Sequence, residues 1–323
     1  MSFMNLNKEQ LIESASKHGY RIEIVEKVVL LSQLLENIFK LPLLNESFAL
    51  KGGTALNLFY FKDMPRLSVD IDLNYVKAVN REAMLQDREL AEDAIIRICN
   101  QVGCRIRRHP KSHAGGKMTL IYPSILGHEG KLEVDLNYMY RNPIFGIQKR
   151  NSHNWPYKVE DIPILDVHEL TAGKLHALFT RNAARDLFDI HQLLSTCDFD
   201  KQKLKIAFVV YIAMSKTHWK DFNLNNVNFD VRDIKNKLVP VIKKNAIVAG
   251  SEKELRVWAV SLLDEVKDKL DASIFPFTSN EQKFLHEIQE HGKIYPELIC
   301  SEDATIKTIK SHPNLMWRIR NKK

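Results

Sequence analysis

Asp70-Ile71-Asp72-Leu73, following closely on Lys51-Gly52-Gly53-Thr54-Ala55-Leu56, restricts what this chain can fold into more than any other stretch. Successive side chains of an extended backbone point to opposite faces, so Asp70 and Asp72 share one face while Val69, Ile71 and Leu73 occupy the other. A strand of this kind asks for a hydrophobic layer on one side and leaves two carboxylates open on the other. Two acidic side chains next to each other suit a hard divalent cation. Gly52 and Gly53 have no side chain, so the backbone can turn tightly there and bring the first amides of a following helix up to a phosphate. One segment therefore offers a place for a cation and a place for a phosphate.

The surrounding periodicity predicts an α/β architecture with a mixed sheet flanked by helices. Helical spacing runs over Glu9–Lys17 and Ile22–Phe39, the second with a wide apolar face through Ile24, Val25, Val28, Val29, Leu31, Leu35 and Ile38. Phe48–Lys51 reads as a short strand leading into the glycine turn, Thr54–Tyr60 as a helix, and Arg66–Leu73 as the aspartate strand. A helix over Arg81–Gln101 and strands over Cys104–Arg108, Lys117–Tyr122 and Lys131–Asn137 follow. In the last of these, Glu133, Asp135 and Asn137 alternate with Leu132, Val134 and Leu136, which makes a second acidic face.

Pro156 and Pro163 mark 151–163 as a connector, so the chain divides into an α/β domain over 1–160 and a helical domain over 161–323. Asp166 is the expected N-cap of a helix over Val167–Arg181, with Glu169 placed to complete a capping box. Lys174 falls within that helix, and Asp186 in the first turn of the next, beside Arg185 and Asp189. His168, His176 and His191 are not spaced four apart on one helix, so they suggest no metal pair. Further helices are expected over Lys253–Leu270 and Glu281–Glu290.

The glycine turn, the strand Arg66-Leu-Ser68-Val-Asp70-Ile-Asp72-Leu and the later Leu170-Thr-Ala-Gly-Lys174 and Arg185-Asp186 steps resemble the AbiEii/AbiGii toxin family. That family lies within the DNA polymerase beta-like nucleotidyltransferase superfamily. The interval from Gly53 to Asp70 exceeds the minimal superfamily motif, as is usual in the toxin family. The resemblance implies a nucleotidyltransferase-type sheet followed by a C-terminal helical domain that contributes Lys174 and Asp186 to the active-site cleft. It implies Mg²⁺ or Mn²⁺ as cofactor, held by Asp70 and Asp72 with a third carboxylate from a neighbouring strand. Asp135 is the choice for that position and Glu133 the alternate. Gly52, Gly53 and Thr54 would cradle the phosphates of a nucleoside triphosphate, Arg66 and Ser68 would belong to the same nucleotide-binding set, and Lys174 would balance charge on the leaving pyrophosphate. Asp186 would orient Lys174 or Arg181, help to bind the nucleotide, or act as a base.

For such a family the expected role is the toxin of a toxin–antitoxin pair that transfers a nucleotide to RNA, the 3′ end of tRNA, and so stops translation and growth. Its partners would be tRNA or another RNA, a cognate antitoxin protein and the triphosphate. The same chemistry could serve a small-molecule or protein hydroxyl, and a decayed transferase could bind RNA without catalysis. Against decay, Asp70, Asp72, Asp135, Lys174 and Asp186 are all present.

Charge agrees with a polyanionic partner: the net formal charge is +7 and the pI about 9.0. Arg105, Arg107, Arg108, His109, Lys111, His113 and Lys117 form one basic cluster, and Lys310, His312, Arg318, Arg320, Lys322 and Lys323 another. No apolar run reaches the roughly 20 residues of a membrane span and no leader is evident, so a cytoplasmic location without membrane contact is expected. Cys99, Cys104, Cys197 and Cys300 lack Cys-x-x-Cys spacing and suggest neither zinc nor a disulfide framework.

Overall fold

Alternation of apolar and polar residues builds a mixed sheet with one dry face. The computed structural model describes residues 7–109, 114–244, 246–247 and 251–321. Its strands are β1 (Phe48–Lys51), β2 (Asp70–Tyr75), β3 (Arg105–Arg108), β4 (Gly115–Pro123), β5 (Glu129–Asn137), β6 (Ile147–Arg150) and β7 (Ile162–Leu165), in the spatial order β3-β4-β5-β2-β1-β7-β6. β2 runs parallel to β5 and β1 to β7, while the remaining neighbours are antiparallel. Ile71, Leu73, Met118, Leu120, Leu132, Val134 and Leu136 are buried on the apolar face. Between them, on alternate positions, stand the half-buried Asp70, Asp72, Glu133 and Asp135.

Helices precede and interrupt the strands: α1 (Lys8–His18), α2 (Ile22–Lys40), α3 (Pro42–Ser47), α4 (Gly52–Phe59) and α5 (Arg81–Gln101). α2 packs against β2, β5 and α5, burying the expected stripe from Val25 to Ile38, while Ile24 at its start is half-buried. Burying a leucine or valine side chain there contributes about 1.5–3 kcal/mol each. The stretch 151–163, expected to be a connector, instead runs into β7 at its end, with Ile162 and Pro163 already in the strand. Leu50 pairs with Ile164 across β1 and β7, and Lys149 with Pro163 across β6 and β7. A four-residue strand holding a proline carries no periodicity of its own, and only a partner distant in sequence makes it a strand.

The remaining helices are α6 (Val167–Arg181), α7 (Ala184–Thr196), α8 (Lys201–Met214), α9 (Val231–Asp233), α10 (Glu252–Ser273), α11 (Ser279–His286), α12 (Asp303–Lys310) and α13 (Pro313–Arg320). Asp166 caps α6 as expected, accepting from the His168 amide at 2.9 Å. Glu169 does not close a capping box. Its buried carboxylate accepts the Ile144 and Phe145 amides at 2.8 and 3.3 Å and the Tyr211 hydroxyl at 3.3 Å. Burial raises its pKa to about 7 against the opposing pull of these hydrogen bonds.

By Cα proximity the chain forms two compact units. One comprises Met1–Arg141, Ile147–Leu165 and Pro240–Ala246 and holds the sheet; the other comprises Asn142–Gly146, Asp166–Val239 and Ile247–Lys323 and is helical. No helix among the described residues is long and apolar enough to cross a membrane.

Candidate active site

Lys51 ends β1, and the chain turns at once through Gly52, whose φ of +73° lies in the left-handed region open to glycine. A Cβ on Gly52 would come within 2.0 Å of Asp72 Oδ2, so the Asp72 carboxylate lies directly against the turn. A Cβ on Gly53 would meet the Arg66 guanidinium at 2.7 Å and Ser68 Oγ at 2.9 Å. The two glycines are thus the absence of side chains that lets α4 begin beside Asp72, Arg66 and Ser68. Arg66 and Ser68 are buried, and β2 begins at Asp70 rather than Arg66. Main-chain pairing of Leu67 with Val241 at 2.8 Å and a bridge from Arg66 to Ile242 fix this approach to the strand. Thr54 is fully buried, and its hydroxyl donates to the Asp70 carbonyl, tying the start of α4 to the start of β2.

The register across the sheet assembles the acidic groups. Asp70 faces Glu133 and Asp72 faces Asp135 across β2 and β5. Directly opposed residues share a face, so all four carboxylates stand on one side of the sheet. Glu133 is committed to lysines, accepting from Lys131 at 2.6 Å and Lys117 at 2.9 Å, and these hydrogen bonds draw its pKa down to about 2. Asp135 has no ion-pair partner among the described residues, and burial, followed by the negative charge of Asp72, pushes its pKa up. Lys117 is held protonated chiefly by its hydrogen bond to Glu133, with Asp70 and Asp72 adding to the effect. It therefore belongs to the acidic face and not to the free part of the basic cluster. Within that cluster Arg105 pairs with Glu129 at 2.9 Å and His109 with Glu92 at 3.0 Å, while Arg107 and Arg108 make no ion pair among the described residues. Lys111, His113, Lys322 and Lys323 lie outside the described residues.

In the helical unit, Lys174 Nζ lies 2.9 Å from both Asp186 and Asp189, and Arg181 Nε 2.6 Å from Asp186. Both aspartates are fully buried. Burial would raise the Asp186 pKa, but Lys174 and Arg181 together hold it far below the usual carboxylate range. The cluster ties α6 to α7, and Asp189, which the sequence places beside Asp186, shares Lys174 equally with it.

A hard cation suits the oxygen donors of Asp70, Asp72 and Asp135, and its charge would offset the burial and the Asp72 charge that raise Asp135. Among the described residues no three acidic, histidine or cysteine side chains already converge as a metal cluster.

Comparison with known proteins agrees with this architecture. Residues 33–270 match the family described as "Nucleotidyl transferase AbiEii toxin, Type IV TA system". Among solved structures, MenT4, a nucleotidyltransferase toxin from Mycobacterium tuberculosis H37Rv, superposes with a TM-score of 0.57 at 15% identity, over 94% of this chain and 99% of that one. No curated protein sequence matches. At that identity the structural likeness speaks to the fold, and the family match, which spans most of the chain, speaks to the lineage: this protein belongs to the AbiEii family of nucleotidyltransferase toxins of type IV toxin–antitoxin systems.

Proposed function

We propose that this nucleotidyltransferase moves a nucleotide from a nucleoside triphosphate to an RNA acceptor, the 3′ end of tRNA, and thereby blocks translation. The observation that carries the reading is the contact of Gly52 with Asp72, which sets the backbone turn against a carboxylate face. In the reaction the acceptor hydroxyl releases its proton to solvent as its oxygen bonds to the α-phosphorus, the bond from that phosphorus to the bridging oxygen breaks, and pyrophosphate leaves. Asp70, Asp72 and Asp135 would hold Mg²⁺ or Mn²⁺, which when bound supplies positive charge against the triphosphate. The amides of Gly52, Gly53 and Thr54 would receive phosphate oxygens at the start of α4. Arg66 and Ser68 buttress Gly53 from the buried side and so fix the turn. Glu133, already neutralised by two lysines, leaves Asp135 as the third carboxylate. Lys174 and Asp186, given to the same reaction by the family resemblance, are assigned to nucleotide handling. An RNA acceptor is supported by the +7 charge and by Arg107 and Arg108 on the exposed strand β3.

The test is to incubate purified protein and Mg²⁺ with total RNA and each α-labelled triphosphate in turn, beside RNA whose 3′ diol has been oxidised by periodate. Label on native tRNA and none on oxidised tRNA supports the reading. Label on a protein or small molecule would move the acceptor there, and no label with any triphosphate would refute transfer.

A further inference from the structure

The registers of three strand pairs place four charged residues in one line across the sheet. Lys117 on β4 is opposite Asp135 on β5, Asp135 opposite Asp72 on β2, and Asp72 opposite Lys51 on β1. Opposed residues share a face, so the site side carries a row Lys-Asp-Asp-Lys whose formal charge sums to zero. The row beyond it, Gly115, Asn137, Asn74 and Ala49, is uncharged. The two lysines are not equivalent. Lys117 is committed to Glu133 at 2.9 Å. Lys51 makes no ion pair among the described residues; its ammonium stands 5.8 Å from the centre of the Tyr140 ring, and its charge lowers the pKa of Asp135 without overcoming burial.

We infer that Lys51 is a further substrate-binding residue, whose ammonium takes a triphosphate oxygen at the Gly52-Gly53 turn. Three observations converge on it. Lys51 directly precedes the turn, so side chain and first helix amides spring from adjacent residues. It faces Asp72, whose carboxylate touches that turn. Of the two ammonium groups in the row, Lys117 is held by Glu133, whereas Lys51 has no carboxylate at hydrogen-bond distance among the described residues. A flexible lysine acts as a point charge toward phosphate, and without nucleotide the same charge offsets the Asp72–Asp135 repulsion. This rests on the reading of the turn as the phosphate cradle.

Inorganic tripolyphosphate is the probe, because it removes the question of which base is used. Calorimetric titration in the presence of Mg²⁺ compares the full-length wild type with Lys51→Met, Lys51→Gln and Lys51→Arg, and with Lys149→Met as a lysine removed elsewhere on the sheet. Without this one charge-assisted hydrogen bond, tripolyphosphate binding should weaken about ten- to hundredfold in the Met and Gln variants. Lys51→Arg should keep most of the affinity and Lys149→Met all of it. In EDTA the Met variant should also melt below wild type, and Mg²⁺ should narrow that gap. Wild-type binding in either folded neutral variant, or an equal loss in Lys149→Met, would overturn the inference; so would a wild type that binds no tripolyphosphate. Failure of RNA labelling with this pattern of binding intact would count against the RNA acceptor and not against Lys51.

Discussion

At Gly52 two independent restraints coincide: a φ of +73° and an Asp72 oxygen 2.0 Å from where a Cβ would sit. Gly52→Ala should therefore abolish transfer and lower stability by about 1–3 kcal/mol. Asp72→Ala should lower transfer about a hundredfold or more while leaving thermal stability unchanged or raised, since it removes a carboxylate that repels Asp135. Full activity in that variant, measured by RNA labelling, would remove Asp72 from the site. Ser68 adjoins the same turn, and its burial makes it a support of Gly53. Glu169 offers a test by pH. Its folded pKa of about 7 exceeds the ordinary carboxylate value of 4.5, so the folded state holds its proton more tightly. Stability should fall as pH rises from about 4.5 to 7, by on the order of 3 kcal/mol, and stay lowered above. Glu169→Gln, which still presents an oxygen to Ile144 and Phe145, should lack this fall in denaturant unfolding series between pH 5 and 8.

Among the elements, α6 and α7 are tied together by a buried charge cluster. Lys174→Met leaves Asp186 and Asp189 buried, with Lys174 gone from between them, and should cost about 3–5 kcal/mol by urea unfolding. Loss of activity in that variant must therefore be judged at temperatures where it remains folded. Strand β3 makes a different prediction. Its Arg107 and Arg108 extend from the edge of the sheet with no ion pair among the described residues, whereas Arg105 is tied to Glu129. Reversing both charges should weaken RNA binding and reduce the slope of log affinity against log salt by about 0.7–0.9 for each RNA phosphate that is no longer neutralised. Affinity for tripolyphosphate should be unaffected. An unchanged slope would transfer the RNA-binding role to another surface, with Arg318 and Arg320 on α13 the next candidates.

At the scale of the whole molecule, membership of a type IV toxin–antitoxin family implies an antitoxin and an activity that must be restrained. Induced expression of the wild type should arrest growth, expression of Asp72→Ala should not, and co-expression of the neighbouring antitoxin gene should restore growth to the wild-type strain. Arrest by the Asp72 variant at equal protein level would separate toxicity from the carboxylate face. The sheet and its charged row belong to one compact unit, which also takes in the returning segment Pro240–Ala246.

By itself the sequence determined what depends on neighbours along the chain. The glycine turn, the shared face of Asp70 and Asp72, the second acidic alternation at Glu133 and Asp135, and the amphipathic stripe of α2 all follow from local periodicity and backbone freedom, and each stands where that periodicity puts it. Tertiary structure decided everything that depends on register. Only the pairing of β2 with β5 brings Asp72 opposite Asp135, only β4 adds Lys117 to the local Lys131 in holding Glu133, and only β1 lines up Lys51 with both aspartates. The strand β7, with Pro163 inside it, and the buried engagement of Glu169 with Ile144 are likewise long-range choices. The physical reason is common to them: shifting a strand by one residue inverts every side chain on it, and nothing within the strand itself says which residue of a distant segment it will meet.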